Sequence, residues 1–302
     1  MQRTFIIIML FISVVANGQH FPIFSQYMLN GLVINPAYAG SREVLSASVM
    51  YRNQWVGFDG APVTSTLSAH MPLRNKSMAL GVLFVNEKIG VQNNISFYSN
   101  YAYRFKVATG QLALGLKAGF NFFKESDSKI TTSQPDDLFN NNTGSFLPNF
   151  GFGAYYNTNT WFLGASVPEF LSYQKEDNGY KPYNDVNNYN FLFSGGVLFR
   201  INDFFKVKPS SLIRYRINSS FQYDLNCNLI MFKDDKLWLG ASYRNQGAIV
   251  GLVEFQVNNQ IRFGYSYDYS LGDVSHYNSG SHEILLRYEF RYKINAVNPR
   301  YF

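Results

Sequence analysis

The residues of this 302-residue chain with chemical potential are few: four histidines, one cysteine and 20 carboxylates. His20, His70, His276 and His282 share no metal-ligand spacing. His282-Glu283 begins like a zinc-protease helix, but the position that needs the second histidine is Leu286. Asp136-Asp137 with Asn140 to Asn142 offers oxygen ligands without the spacing of a calcium loop, and suits a solvated loop better. The chain has neither a phosphate-cradling loop nor a G-x-S-x-G nucleophile turn. Cys227 is alone, so no intrachain disulfide forms, and its strand-like surroundings make it a small apolar packing residue. The expectation is therefore a protein that is not an enzyme, with no catalytic residue, cofactor or metal.

The elements that carry these residues are set by composition. Aromatic residues make up 18% of the chain and charged residues 15%, against about 25% charged in an average soluble domain. Apolar surface must therefore be hidden, yet beyond the N-terminus no run approaches the ~18 consecutive apolar residues of a membrane helix. A net charge of +6 is a mild bias and no nucleic-acid footprint. The first residues read as an export signal. Arg3 gives a positive start, Phe5 to Val15 an apolar run, and Ala16-Asn17-Gly18 a small-residue cleavage site before Gln19.

From Val44 onward the hydropathy alternates with period two over long segments, which is the pattern of a strand with one face in lipid and one in a polar lumen. In Gln111 to Phe123, Leu112, Leu114, Leu116, Ala118, Phe120 and Phe122 share one face, and Lys117 and Asn121 lie on the other. Phe221 to Met231 alternates apolar residues with Gln222, Asp224, Asn226 and Asn228, and a carboxylate such as Asp224 belongs in the lumen. Near the end, Ile284, Leu286, Tyr288, Phe290 and Tyr292 alternate with Arg287, Glu289 and Arg291. Such segments number about fourteen, an even count that fits a single-chain bacterial barrel, with twelve or sixteen as alternatives. The fold class expected is all-β: a transmembrane antiparallel barrel of the outer membrane.

Three regions follow: 1-18 a signal peptide, 19-43 a possible plug or short helix, and 44-302 the barrel. Residues 19-43 carry Phe24, Tyr27, Met28 and Ile34 at roughly helical spacing, with Asn35-Pro36 to end any helix. The long connections 124-147 and 169-187 are expected outside the cell, and Asn202-Asp203 and Asn258-Asn259 as tight turns. Trp55, Trp161 and Trp238 are expected in an interfacial aromatic belt. Arg104, Lys117, Arg200 and Arg262 are candidate lumen residues, for bracing the barrel or meeting a partner.

Three stretches are more particular than barrel physics requires. They are Phe24-Ser25-Gln26-Tyr27-Met28-Leu29-Asn30 continued by Asn35-Pro36-Ala37-Tyr38-Ala39-Gly40; Arg52-Asn53-Gln54-Trp55 with Phe58-Asp59-Gly60-Ala61-Pro62; and Gly264-Tyr265-Ser266-Tyr267-Asp268 with Ser281-His282-Glu283-Ile284 and Pro299-Arg300-Tyr301-Phe302. Together they resemble the PorP/SprF family of type IX secretion system membrane proteins in Bacteroidetes. The resemblance implies an outer-membrane barrel that binds the C-terminal domain of a secreted surface protein, an adhesin, and supports its export or retention. It also implies contact with other secretion-system components and with outer-membrane lipid, and a link to gliding motility. Rival functions are a passive diffusion channel and a scaffold joined to periplasmic components. Mechanically, residues 19-43 are expected to cap or occlude the periplasmic side, with Asp59 hydrogen-bonding the turn backbone beside the first strand.

Overall fold

The computed structural model describes residues 22, 24–126, 142–176, 179–217, 219–245 and 247–290. The alternation seen in the sequence becomes a closed antiparallel barrel of 14 wall strands. In chain order the strands are β1 (Leu45–Asn53), β2 (Val63–Pro72), β3 (Met78–Ile89), β4 (Gln92–Val107), β5 (Gly110–Ser126), β6 (Asn142–Asn157) and β7 (Trp161–Val167). A small hairpin follows, β8 (Ser172–Glu176) with β9 (Gly179–Tyr183), lying outside the wall sheet. The wall resumes with β10 (Phe191–Val197) and β11 (Phe199–Arg200), one strand interrupted at inward-pointing Leu198. It ends with β12 (Phe205–Tyr215), β13 (Gln222–Met231), β14 (Leu237–Arg244), β15 (Ala248–Gln256), β16 (Ile261–Ser270) and β17 (Ser281–Phe290). Pairing of β1 with β17 closes the ring, and β10 pairs with both β7 and β12. Closure removes every long edge that lipid could not satisfy, with one exception taken up below.

The period-two pattern sorts side chains as expected. On β5, Leu114, Leu116 and Phe122 face out, while Ala113, Lys117 and Asn121 are buried inside. Cys227 faces outward, in keeping with a small apolar side chain on the lipid face. The turns at one end are short. Asn202 Oδ1 accepts the N–H groups of Phe204 and Phe205, and Asn258 Oδ1 accepts those of Gln260 and Ile261, so the two Asn-led turns use one device. The connections 54–62, 168–190 and 271–280 leave the wall at the other end, where β5 also ends at Ser126 and β6 begins at Asn142, and they are longer, which makes that end extracellular and the short-turn end periplasmic. The chain enters β1 from the periplasmic end.

Residues 24–43 fill the lumen. All but Met28, Ser41 and Glu43 are buried, and the hydrophobic clusters of the molecule form around them. Helical spacing resolves into two separate 3₁₀ turns, Gly31–Val33 and Pro36–Tyr38, rather than an α-helix. Asn35 separates them: its extended backbone precedes Pro36 and its side chain accepts the Ala37 N–H.

Candidate functional site

The lumen segment is held along one side by charge. Glu283 is fully buried, and its carboxylate accepts the backbone N–H groups of Ser25 at 2.9 Å and Gln26 at 2.8 Å. Gln26 returns a bond from its side chain to the Glu283 carbonyl at 2.9 Å. Arg52 bridges Glu283 at 3.1 Å and Asp268 at 2.7 Å, and Ser25 Oγ donates to Asp268 at 2.6 Å. Arg244 links Asp268 to Asp224, which Arg214 also meets at 2.9 Å. Three guanidinium groups thus face three carboxylates, and the balance lets all six remain in a desolvated lumen. Lower in the barrel, Arg287 donates to the Leu29 carbonyl at 2.7 Å and to Glu254 at 2.9 Å. Arg42 pairs with Glu289 at 2.7 Å.

Because Glu283, Asp268 and Arg52 lie at the extracellular ends of their strands and Glu289 at the periplasmic end of β17, the segment runs downward through the barrel from residue 24 to residue 43. Of the two expectations, a cap or an occluding plug, it takes the second: a lumen-filling strap whose ionic partners are spread along the height of the wall.

The opposite wall meets the strap by being small. A Cβ at Gly153 would stand 2.1 Å from Asn35 Oδ1, and one at Gly115 2.2 Å from the Ala37 nitrogen. Asn35 Nδ2 reaches the Ala154 carbonyl at 3.0 Å, and Ser166 Oγ donates to the Ile34 carbonyl at 2.7 Å. Tyr38 packs edge-on against His70 and Tyr155. His70 Nδ1 accepts the Gly40 N–H at 3.1 Å, where the chain turns with a left-handed φ of +75°.

Above the strap lies an extracellular vestibule of about 220 Å³. Its floor includes Phe24 and Val33, and its wall includes Lys117, Asn121 and Phe123 of β5. The Lys117 ammonium sits 3.6 Å over the centre of the Tyr98 ring and 3.8 Å from Glu169. The Tyr98 hydroxyl lies 2.8 Å from Asn121 Oδ1 and 3.1 Å from Glu169. Burial raises the Glu169 carboxyl above its ordinary range, opposed by the Lys117 charge and the Tyr98 hydroxyl. Asn149 latches the loop that follows β7, accepting the Phe170 and Leu171 N–H groups and donating to the Leu171 carbonyl. The β8–β9 hairpin packs Tyr173 edge-on and Tyr180 at a tilt against Phe123. Rings and amides in this arrangement suit gripping a polypeptide. Among the described residues no group of His, Cys, Asp and Glu could hold a metal ion.

The motif residues of the sequence largely converge here. Ser25, Gln26 and Arg52 all donate to Glu283, Arg52 also donates to Ser25, and His282 Nδ1 lies 2.7 Å from the Tyr265 hydroxyl. Gln54 and Trp55 sit just beyond β1, where the Gln54 N–H donates to the Pro62 carbonyl and the Trp55 N–H to Ser281 Oγ. Asp59 is exposed and makes no hydrogen bond among the described residues. The loop at Gly60 is closed by backbone instead, Ala61 N–H to Phe58 and Gly90 N–H to Gly60. Arg104, bonded to Gln111, and Arg262, 2.8 Å from Glu254, point inward. Arg200 lies exposed at the periplasmic rim, where β11 ends and the wall no longer covers it. Trp238 is no belt residue: it is buried in the lumen, facing Lys208 and Arg262. Asp224 was legible as a lumen charge from alternation. Arg244 and Glu254 were not, because their strands are short and their polar sites few. His20, Asp136, Asp137 and the terminal Pro299-Arg300-Tyr301-Phe302 lie outside the described residues.

Comparison with known proteins adds identity to this geometry. A family model described as "Type IX secretion system membrane protein PorP/SprF" matches residues 16–288. No curated protein matches the chain. Among solved structures, the Ralstonia pickettii toluene transporter TbuX aligns at 11% identity and a TM-score of 0.52, covering 91% of this chain and 96% of that one. The CymD monoaromatic hydrocarbon channel aligns at 12% identity and a TM-score of 0.50, covering 91% and 95%. At these identities the likeness is one of fold: an outer-membrane barrel.

Proposed function

Since the chain belongs to the PorP/SprF family of type IX secretion system membrane proteins, we propose that it is a non-enzymatic partner for secreted cargo. It binds the C-terminal domain of a surface protein at its extracellular end and supports that protein's export or retention. The observation that carries this reading is the strap. With residues 24–43 packed into the lumen and pinned by Glu283, Arg287 and Glu289, solute passage is disfavoured, and the accessible chemistry is concentrated in the vestibule and the loops above it. Lys117 is the lumen cation best placed to meet a partner, while Arg104 and Arg262 brace the wall. The export signal is cleaved after Gly18 in this reading, which N-terminal sequencing of the mature protein checks.

The decisive experiment is a mild-detergent pull-down of the tagged barrel from its own membrane, with mass spectrometry of what co-purifies. A large surface protein held through its C-terminal domain, and lost when the 168–190 connection is deleted, is the expected result. A barrel with nothing bound that conducts steadily in a planar bilayer would replace this reading with that of a diffusion channel.

A further inference from the structure

Among the described residues, the wall strands are paired along their length except beside the extracellular half of β6. Strand β5 pairs with β6 from Asn142 to Asn157, whereas β7 pairs with it only from Phe152 to Asn157. β7 stops at Val167, and Pro168 turns the chain inward over Gly151. Along the abandoned edge, Phe150 shows which residues point toward the gap, because its carbonyl accepts the Phe170 N–H at 2.9 Å. By alternation Pro148, Phe146 and Gly144 point the same way.

Proline inside a strand is tolerated where its missing N–H faces no partner strand, and Pro148 marks this as an edge. The Pro148 carbonyl is taken by the Tyr173 hydroxyl at 3.1 Å. Among the described residues, the N–H and C=O groups of Phe146 and Gly144 have no hydrogen-bond partner. Four backbone groups thus remain at the alternate spacing that one more strand would satisfy. The outward face points to the same occupant. Phe97, Phe120 and Phe146 form a cross-strand aromatic row, with ring centres 5.9 and 4.7 Å apart, and the row ends at Phe146, which is 63% exposed. Its next member would stand on a strand added beside β6.

We infer that the extracellular edge of β6 is a strand-addition site for the secreted partner: an extended segment of that polypeptide pairs antiparallel or parallel to residues 142–150 and sets an aromatic or β-branched residue against Phe146. This rests on the cargo-binding reading above and specifies its contact. The edge borders the vestibule through Ser145, whose Oγ accepts the Tyr180 N–H, so an added strand and a vestibule-bound segment would be neighbours.

The test compares Phe146→Pro with Phe146→Ala in the full-length chain in its own membrane, reading the amount of surface protein that co-purifies. Gel mobility with and without heating verifies a folded barrel. Phe146→Pro removes an N–H at an edge that already holds a proline, and is expected to reduce recovery about tenfold or more, whereas Phe146→Ala keeps the donor and loses much less. Equal recovery with the two variants overturns strand addition while leaving the cargo reading standing. No surface protein with the unaltered chain removes both. Should Phe146→Pro fail to fold, amide exchange of residues 142–150 in the unaltered chain decides: protection that appears only with the partner bound supports the site, and exchange unchanged by the partner overturns it. Protection of the purified chain that rises with its own concentration also overturns it, since a second copy would then be the occupant.

Discussion

The two inner walls of the barrel hold the same strap by different physics. From β13 round to β1 the wall presents Asp224, Arg244, Glu254, Asp268, Glu283, Arg287 and Arg52, nearly all buried and paired. From β2 to β7 the strap meets Ser68, Ala79, Ala102, Gly115 and Gly153, where close approach replaces charge. The difference teaches that the strap is positioned by one wall and accommodated by the other. A carboxylate accepting two backbone N–H groups fixes one register of the chain, whereas a glycine cradle only permits it.

The sharpest way to break that contrast is at Glu283. Glu283→Ala leaves Arg52 with one carboxylate partner in place of two and orphans the N–H groups of Ser25 and Gln26. Removing one member of a buried ionic network costs about 3–5 kcal/mol, so the midpoint of urea unfolding, followed by gel mobility, should fall markedly. Gly153→Val attacks the other wall with every ion pair intact. Its Cβ would stand where Asn35 Oδ1 now lies, and the expected loss is smaller, about 1–3 kcal/mol, because the turn at Pro36–Tyr38 can shift. Thiol labelling of Leu32→Cys in a Cys227→Ser background should rise more for Glu283→Ala than for Gly153→Val. The reverse order would make the small wall the anchor.

The wall was legible in the sequence and the strap only in outline, for one physical reason. A membrane strand must show lipid one face and the lumen the other, so Leu112 to Phe122 and Phe221 to Met231 carry their own orientation. The fourteen strands expected from alternation and turn residues are the fourteen observed. A segment inside the lumen is surrounded on all sides, and no period separates its faces. Its shape is dictated by Gly115, Gly153 and Glu283, which lie far away in sequence. Trp238 misled for the same reason: aromatic residues near strand ends usually belong to the lipid interface, but inward parity placed this one over lumen cations. Four of the particular motif residues meet in that long-range contact: Ser25 and Gln26 on the strap, Arg52 and Glu283 on the wall.

The vestibule combines the two kinds of wall at small scale, and its energetics can be tested by pH. Glu169 descends from the connection after β7 into a site where burial opposes its charge more strongly than Lys117 and Tyr98 support it, so its carboxyl titrates above the ordinary glutamate range. A group whose folded value is raised contributes stability that is fully present below its unfolded value and is lost as pH rises through the folded one. The connection 168–190 should therefore resist protease better in mildly acidic solution than at neutral pH, and Glu169→Gln, neutral throughout, should flatten that dependence. The effect is the smallest of those argued here, because Asn149 holds Phe170 and Leu171 independently of any charge. A dependence that survives in Glu169→Gln would transfer the titration to another group. Resistance that instead increased with pH in the unaltered chain would make the Lys117–Glu169 attraction the dominant influence, and the vestibule would then belong with the ionic wall.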